Sequence, residues 1–325
     1  MFCTEKIFEL KENIFVIPNS TNVGVILSFD NERKNAGVFL IDSGCTEIDG
    51  EYILDVLYDF FAANKDISFL VKAIFTTHAH ADHCGAHNFI KENTNCIIYS
   101  PFSERGNMEN PVVLSSFLWG GYPPHELRTH FFQADPVFPD KVVNPDSVIE
   151  LSDERKITFI ELPGHSHGHF GIILNCRDKS KILFSGDALF TREEIARHWI
   201  PLIVNPNEFM NSLDKICSIE NLSYCVPSHG KVISGNIEET AELDKIAILT
   251  TKECILEALN LNEFMTAEQI IKYVAKRNSL NMNLSQYALI SSTIKSYIAV
   301  LHDERKLRMK VEDNTLLFYK PPVNN

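Results

Sequence analysis

The chain has 325 residues, 45% of them hydrophobic, and a formal net charge of −13. That length holds one large domain or two ordinary ones, and the apolar share suits a packed soluble protein. The acidic balance argues against broad binding to nucleic acid or anionic membrane, because phosphates need basic surface. The eight cysteines are scattered with no CxxC pair, which excludes a zinc ribbon or thioredoxin-like motif and suits a reducing compartment. The N-terminus does not read as a signal peptide and no 18-residue apolar run exists, so the expected location is the cytoplasm, with no membrane partner.

Residues 5–45 read as a β-meander. Glu5–Leu10, Ile14–Pro18, Val23–Phe29 and Val38–Asp42 are β-rich and separated by turn formers. The last run ends in Leu40-Ile-Asp-Ser-Gly44 and puts Asp42 at a strand terminus. There it is either a turn cap or a carboxylate that orients a metal-bound histidine. Tyr52–Ala63 has helical apolar spacing, and the apolar run Phe69–Phe75 fits a buried strand. Directly after it comes Thr76-Thr77-His78-Ala79-His80-Ala81-Asp82-His83, then a stretch from Cys84 to Glu92 that can be a helix. Three imidazoles and one carboxylate within six residues therefore sit on a strand-to-helix turn. Such a turn can point His78 and His80 to one ion and Asp82 and His83 to a second, with donor types that suit zinc.

Asn95–Ser100 is another short strand. Residues 101–145 hold seven prolines and no clean period, yet also Phe102, Phe117, Trp119, Tyr122, Phe131, Phe132 and Phe138. So aromatic a stretch is expected to be ordered, as a lid over the site or a dimer arm. Strands follow at Val148–Leu151, Lys156–Leu162 and Phe170–Asn175, with Pro163-Gly-His165-Ser-His-Gly-His169 between the last two. Lys181–Phe184 ends in Ser185-Gly-Asp187, a helix covers Pro206–Ile219, and Tyr224-Cys-Val-Pro-Ser-His229-Gly runs from strand into turn. A His or Asp at successive strand ends is the pattern of ligands converging on one sheet edge.

These motifs, in this order over about residues 5–235, resemble the metallo-β-lactamase superfamily. The resemblance implies an α/β fold, a four-layer αββα sandwich with metals at one edge of two packed sheets. It implies that His78, His80 and His165 hold one metal, that Asp82, His83 and His229 hold a second, and that Asp187 bridges them. Asp at the bridging position and Asp82 within HxHxDH look like the glyoxalase II, lactonase and nuclease branches. The segment after Asp187 lacks the Gly-rich Arg motif of glyoxalase II, which argues against a glutathione thioester. The expected cofactors are two divalent ions, zinc first, with iron or manganese admitted.

Such a pair, about 3.5–4 Å apart, can lower the pKa of a shared water from 15.7 to about 7. Asp82 and Asp187 are the candidate catalytic carboxylates, orienting the nucleophile. Hydrolysis of a small ester, thioester or lactone is expected. A single-strand endoribonuclease is the alternative, and an iron oxygenase is a further one, since two histidines and a carboxylate also make a facial triad. His198 is a candidate general acid. His169 and His167 read as orienting or loop residues, His125 and His130 as possible substrate contacts, His87 and His302 as ordinary helix residues, and Cys84 as a buried thiol.

From residue 237 the pattern is helical over Glu238–Leu261, Ala267–Asn278 and Ser285–His302, then a hairpin, Lys306–Val311 with Leu316–Tyr319. The domain division is thus 1–236, catalytic, and 237–325, resembling a winged helix. Residues 245–325 carry 11 Lys and Arg against 8 Asp and Glu, a net of +3. Lys295 is the one base-reading cation on the candidate recognition helix. A DNA reader should offer more, so a metal-sensing nucleic-acid-binding regulator is not favoured over packing on the hydrolase or a homodimer contact. The expected partner is a small-molecule substrate.

Overall fold

The computed structural model describes residues 6–30, 32–63, 67–198 and 201–321. The meander forms as β1 (Phe8–Lys11), β2 (Ile14–Ile17), β3 (Val23–Phe29) and β4 (Asn35–Ile41), antiparallel throughout. Helix α1 (Glu47–Ala62) crosses to β5 (Ser68–Phe75), parallel to β4. After the histidine turn come α2 (Ala81–Cys84), α3 (His87–Thr94) and β6 (Ile97–Pro101). The helix expected over 84–92 is thus broken at Gly85 and Ala86. The reason is a close approach: Gly85 N–H donates to both Gly44 and Ala81 carbonyls. A Cβ at Gly85 would lie 1.9 Å from the Cys45 carbonyl oxygen.

The Pro-rich insert folds into α4 (Arg105–Glu109), α5 (Val112–Trp119) and a 3-10 turn at His125–Leu127 before β7 (Lys141–Val143). Its prolines delimit these short helices: Pro111 caps α5, and Gly120, at φ +83°, ends it. The strands β1 to β7 make one sheet in sequence order. The second sheet, in the order β12-β11-β10-β9-β8, comprises β8 (Val148–Glu150), β9 (Lys156–Glu161), β10 (Phe170–Asn175), β11 (Lys181–Gly186) and β12 (Leu222–Pro227). Between β11 and β12 lie α6 (Arg192–His198) and α7 (Pro206–Cys217). The chain ends in α8 (Ile237–Leu261), α9 (Ala267–Arg277), α10 (Leu284–Asp303) and the hairpin β13 (Arg308–Glu312) and β14 (Thr315–Tyr319).

Three apolar cores hold four layers. Ile26, Ile41 and Phe75 of the first sheet meet Phe159, Ile172 and Phe184 of the second in the central core. Behind the first sheet, Val25, Leu40 and Ile74 pack on Ile53, Leu57 and Phe61 of α1. Behind the second, Leu162, Ile173 and Leu183 pack on Phe209 and Leu213 of α7 and Ile248 of α8. That last core continues without a break through Ile255, Ile270, Tyr297 and Phe318, so the C-terminal helices and hairpin share apolar burial with the sandwich. Full burial of each such side chain stabilises by about 1.5–3 kcal/mol. Thr266 caps α9 as its sequence suggests, accepting from Gln269 N–H at 3.3 Å. Among the described residues no helix is long and apolar enough to cross a membrane, and seven cysteines are free.

The sheet order decides where chemistry can occur. Strands β4, β5 and β6 are mutually parallel, as are β11 and β12, and β9 runs with β11 because both oppose β10. Their C-terminal ends carry the loops that begin at Asp42, Thr76, Phe102, Leu162, Asp187 and Ser228, so these loops gather on one edge of the sandwich.

Candidate metal centre

At that edge the seven expected ligand residues come together. Three groups have ligand atoms within 4.8 Å of one another: His78, His80 and His165; His78, His83 and Asp187; Asp82, His83 and His229. His165 Nε2 lies 2.8 Å from His80 Nδ1 and 3.2 Å from Asp187 Oδ2. His83 Nε2 is 3.5 Å from Asp187 Oδ1 and 3.6 Å from Asp82 Oδ2. His229 Nε2 is 3.3 Å from Asp82 Oδ2 and 3.6 Å from Asp187 Oδ2. Asp187 thus reaches both subsets, as a bridging carboxylate must.

The outer nitrogens explain why these rings point inward. His83 Nδ1 meets Asp42 Oδ2 at 2.8 Å, His165 Nδ1 meets the Leu202 carbonyl at 2.7 Å, and His229 Nδ1 meets the Ser20 carbonyl at 2.9 Å. Each acceptor draws the ring proton to Nδ1 and leaves Nε2 bare for a cation. His78 Nε2, His83 Nε2 and Asp187 Oδ1 are buried without hydrogen-bond partners. Three such ligand atoms on residues whose ligand atoms lie within 4.8 Å of one another are costly unless cations satisfy them. The residues therefore fit a pair of divalent ions, with nitrogen and oxygen donors only. Cys84 is buried 3.4 Å from the His80 carbonyl and belongs to no ligand group.

The site's charges separate into two halves. Burial drives His80 and His165 down to about 4, and holds His78 well below its usual range, so these imidazoles are neutral. Burial also opposes charge on His83 and His229. There the carboxylates outweigh it, Asp82, Asp187 and Asp42 raising His83 to about 10 and Asp187 with Asp82 raising His229 to about 12. Burial would raise Asp82 and Asp187, yet the adjacent imidazoles hold both well below the usual carboxylate range. The field that keeps protons on two histidines is the field that attracts cations, and binding must displace those protons.

Asp42 sits at φ +59°, accepts from Thr77 N–H at 2.8 Å and from the Thr77 hydroxyl at 2.7 Å, and so fixes both the His83 ring and the turn before His78. His169 is fully buried, and its Nε2 accepts the Asp187 N–H at 3.0 Å. Gly186, at φ +57°, leaves room for it, since a Cβ there would fall 2.4 Å from that nitrogen. The side chain of His198 lies outside the described residues. His125, His130 and His167 are exposed. His87 is more than a helix-face residue: it is buried between Ser43 Oγ at 2.6 Å and Thr76 Oγ1 at 2.8 Å, and burial lowers it to about 3.

Sequence reasoning missed Glu104. This buried carboxylate follows β6 in the insert. Its Oε2 accepts Ala79 N–H at 3.2 Å, and its Oε1 accepts the Ser166 hydroxyl at 2.6 Å and Gly168 N–H at 2.9 Å. It ties the loop of His78 and His80 to the loop of His165. Its only signal is position, an acid just beyond a strand end.

Of the seven, Asp82 and His229 keep side-chain exposure, 19% and 25%. They open onto a cavity of about 540 Å³, walled by Leu118 and Phe132 of the insert, Phe190 after β11, and Met282, Leu289 and Ile290 of the C-terminal segment.

The chain matches the Metallo-beta-lactamase superfamily over residues 16–224 and belongs to it. Among curated relatives it is 29% identical over 126 residues to the hydroxyacylglutathione hydrolase GloC of Haemophilus influenzae, covering 39% of this chain and 53% of the relative. It is 26% identical over 162 residues to the probable metallo-hydrolase YflN of Bacillus subtilis, covering 48% and 56%. The chain thus spans about half the length of the curated relatives it matches. A metallo-beta-lactamase family protein from Thermus thermophilus has the same fold, with a TM-score of 0.70 at 18% identity, over 96% of this chain and 100% of that one. Coverage that high takes in the C-terminal helices as well as the sandwich.

Proposed function

We propose that the protein is a binuclear metallohydrolase that cleaves a small ester or thioester. His78, His80 and His165 would hold one ion, Asp82, His83 and His229 the other, with Asp187 within reach of both. The observation that carries this reading is the set of buried ligand atoms without hydrogen bonds, His78 Nε2, His83 Nε2 and Asp187 Oδ1, within a seven-residue cluster. Zinc suits the donor set. When bound, a pair of such ions supplies acidified water and Lewis acidity at neutral pH.

The chain's own residues do the rest. Asp82 faces the cavity, and Thr21 Oγ1, 3.4 Å from its Oδ2, helps to fix it. Its carboxylate would orient the attacking water. Asp42, Glu104 and His169 hold the ligand loops in register, which keeps reorganisation small as charge develops.

Phosphodiester cleavage in RNA is the second reading, carried by basic residues of the C-terminal hairpin. Those cations are partly engaged: Lys306 Nζ lies 2.8 Å from Glu304, and Lys310 lies 3.0 Å from Glu312 and over the Phe264 ring. The ester reading is therefore preferred. The test is elemental analysis of protein purified without added metal, with thioester, lactone and RNA hydrolysis run on the same sample. Two zinc ions per chain with thioester turnover are expected. RNA cleavage alone would favour the second reading, and one iron per chain without hydrolysis would overturn both.

A further inference from the structure

We infer that the cavity beside the ligand cluster binds the apolar acyl group of the substrate, and that the insert and the C-terminal helices set its chain-length preference together. The inference rests on the hydrolase reading and adds to it a substrate class: esters or thioesters of an extended aliphatic or aromatic acid.

The lining carries the argument. About 540 Å³ is within the range of sites that enclose a small organic ligand. One patch of the lining is His80, Asp82, His165, Asp187 and His229, so an acyl carbon in the cavity stands next to the reacting centre. Most of the remainder is apolar, and it comes from chain segments far apart in sequence. Leu118 and Phe132 of the insert pack with Ala288 of α10 in a small core of their own, with Leu114 and Leu289 against them. The wall is therefore prebuilt, and neither segment makes it alone.

Charge excludes the main competitors. Among the described lining residues Arg197 is the only Lys or Arg, and its Nη1 lies 3.3 Å from Glu194 Oε1. A ligand with several carboxylates or phosphates needs several cations or a bidentate clamp. Away from the ligand cluster the described lining offers a glutathione conjugate or an RNA segment Arg197 alone. An apolar chain needs no such partner. Each methylene moved from water into such a wall favours binding about fourfold, and this gain appears in kcat/KM if the transition state keeps the contact.

The test uses zinc-loaded full-length protein and acetyl, hexanoyl and decanoyl thioesters of N-acetylcysteamine. A matched set of acetyl thioesters on alkyl thiols asks whether the apolar group belongs to the acyl or the leaving side. The expected result is a kcat/KM rising about fourfold per methylene from acetyl to hexanoyl, for the acyl series only. Leu289→Trp on α10 and Leu114→Trp on the insert narrow the cavity at half-buried positions. Each is expected to cut the decanoyl-to-acetyl ratio by tenfold or more, with thermal unfolding and zinc content confirming a folded, loaded protein. Calorimetric binding of decanoate against acetate gives a readout independent of turnover. Tighter decanoate binding that both Trp variants weaken, without turnover of the thioesters or of the matching esters, would uphold the pocket and overturn the hydrolase reading. Acetyl turnover with no chain-length dependence, or decanoate binding no tighter than acetate, would overturn the pocket alone. A gradient in the alkyl-thiol series would assign the cavity to the leaving group and refute the acyl assignment.

Discussion

Removing the Glu104 carboxylate should loosen the metal centre from outside it. In Glu104→Ala the Ala79 and Gly168 N–H groups and the Ser166 hydroxyl lose their acceptor at once. A buried donor left without a partner costs about 1–3 kcal/mol. The hydroxyl can turn elsewhere, and losses within one cluster do not simply add, so about 3 kcal/mol of stability should go. The loops of His78, His80 and His165 would no longer be held to each other, and removal of such outer partners lowers metal affinity about 10- to 100-fold. Glu104→Gln keeps the shape and one acceptor oxygen. Pointed at Ser166 and Gly168, that oxygen keeps two bonds and sets an NH2 against Ala79 N–H, so roughly a third to a half of the effect should remain. Thermal unfolding of the metal-free protein and zinc competition against a chromophoric chelator measure the two consequences separately. If Glu104→Ala kept its unfolding temperature and bound zinc within twofold of the parent, the two loops would not be coupled through this residue.

Asp42→Asn tolerates the left-handed backbone at φ +59° but places an amide where His83 Nδ1 needs an acceptor, so zinc affinity should fall about 10- to 100-fold with little change in fold; circular dichroism and the same competition assay check both parts. Gly85→Ala puts a methyl 1.9 Å from the Cys45 carbonyl oxygen, a backbone atom that cannot swing aside, and should cost about 3 kcal/mol in urea unfolding; a loss under 1 kcal/mol would contradict the close approach. His87 is lowered to about 3 in the folded protein against about 6.5 unfolded. The unfolded chain therefore binds the extra proton between those values, and stability is present above pH 6.5 and lost as pH falls toward 3. His87→Gln should flatten that fall, so that from pH 7 to pH 5 the parent loses about 2 kcal/mol more than the variant; equal slopes would remove His87 as the cause.

What the sequence determined by itself was local and periodic. Strands over Val23–Phe29 and Phe69–Phe75, the cap at Thr266 and the hairpin at the C-terminus follow from alternation, turn formers and capping chemistry, which act over a few residues. The density of HxHxDH and the recurrence of His165, Asp187 and His229 at strand ends pointed to residues that the fold gathers into one cluster, because donor type and strand position are both written in the chain. Only tertiary structure decided the rest. The break at Gly85 depends on Cys45, forty residues away, and a helical period carries no record of that approach. Glu104 lies in a segment without periodicity, and its partners on two other loops come from strand order. His87 reads as an ordinary helix residue, and only the fold sets Ser43 and Thr76 against its two nitrogens. The sequence marks the insert as a lid or a dimer arm and the helices after residue 237 as a unit that packs on the hydrolase or dimerises, but only the fold shows Leu118, Phe132 and Ala288 packed together beside the ligand cluster. Apolar burial is non-directional, so composition shows that Leu118 or Leu289 will be covered, and only the fold shows by what.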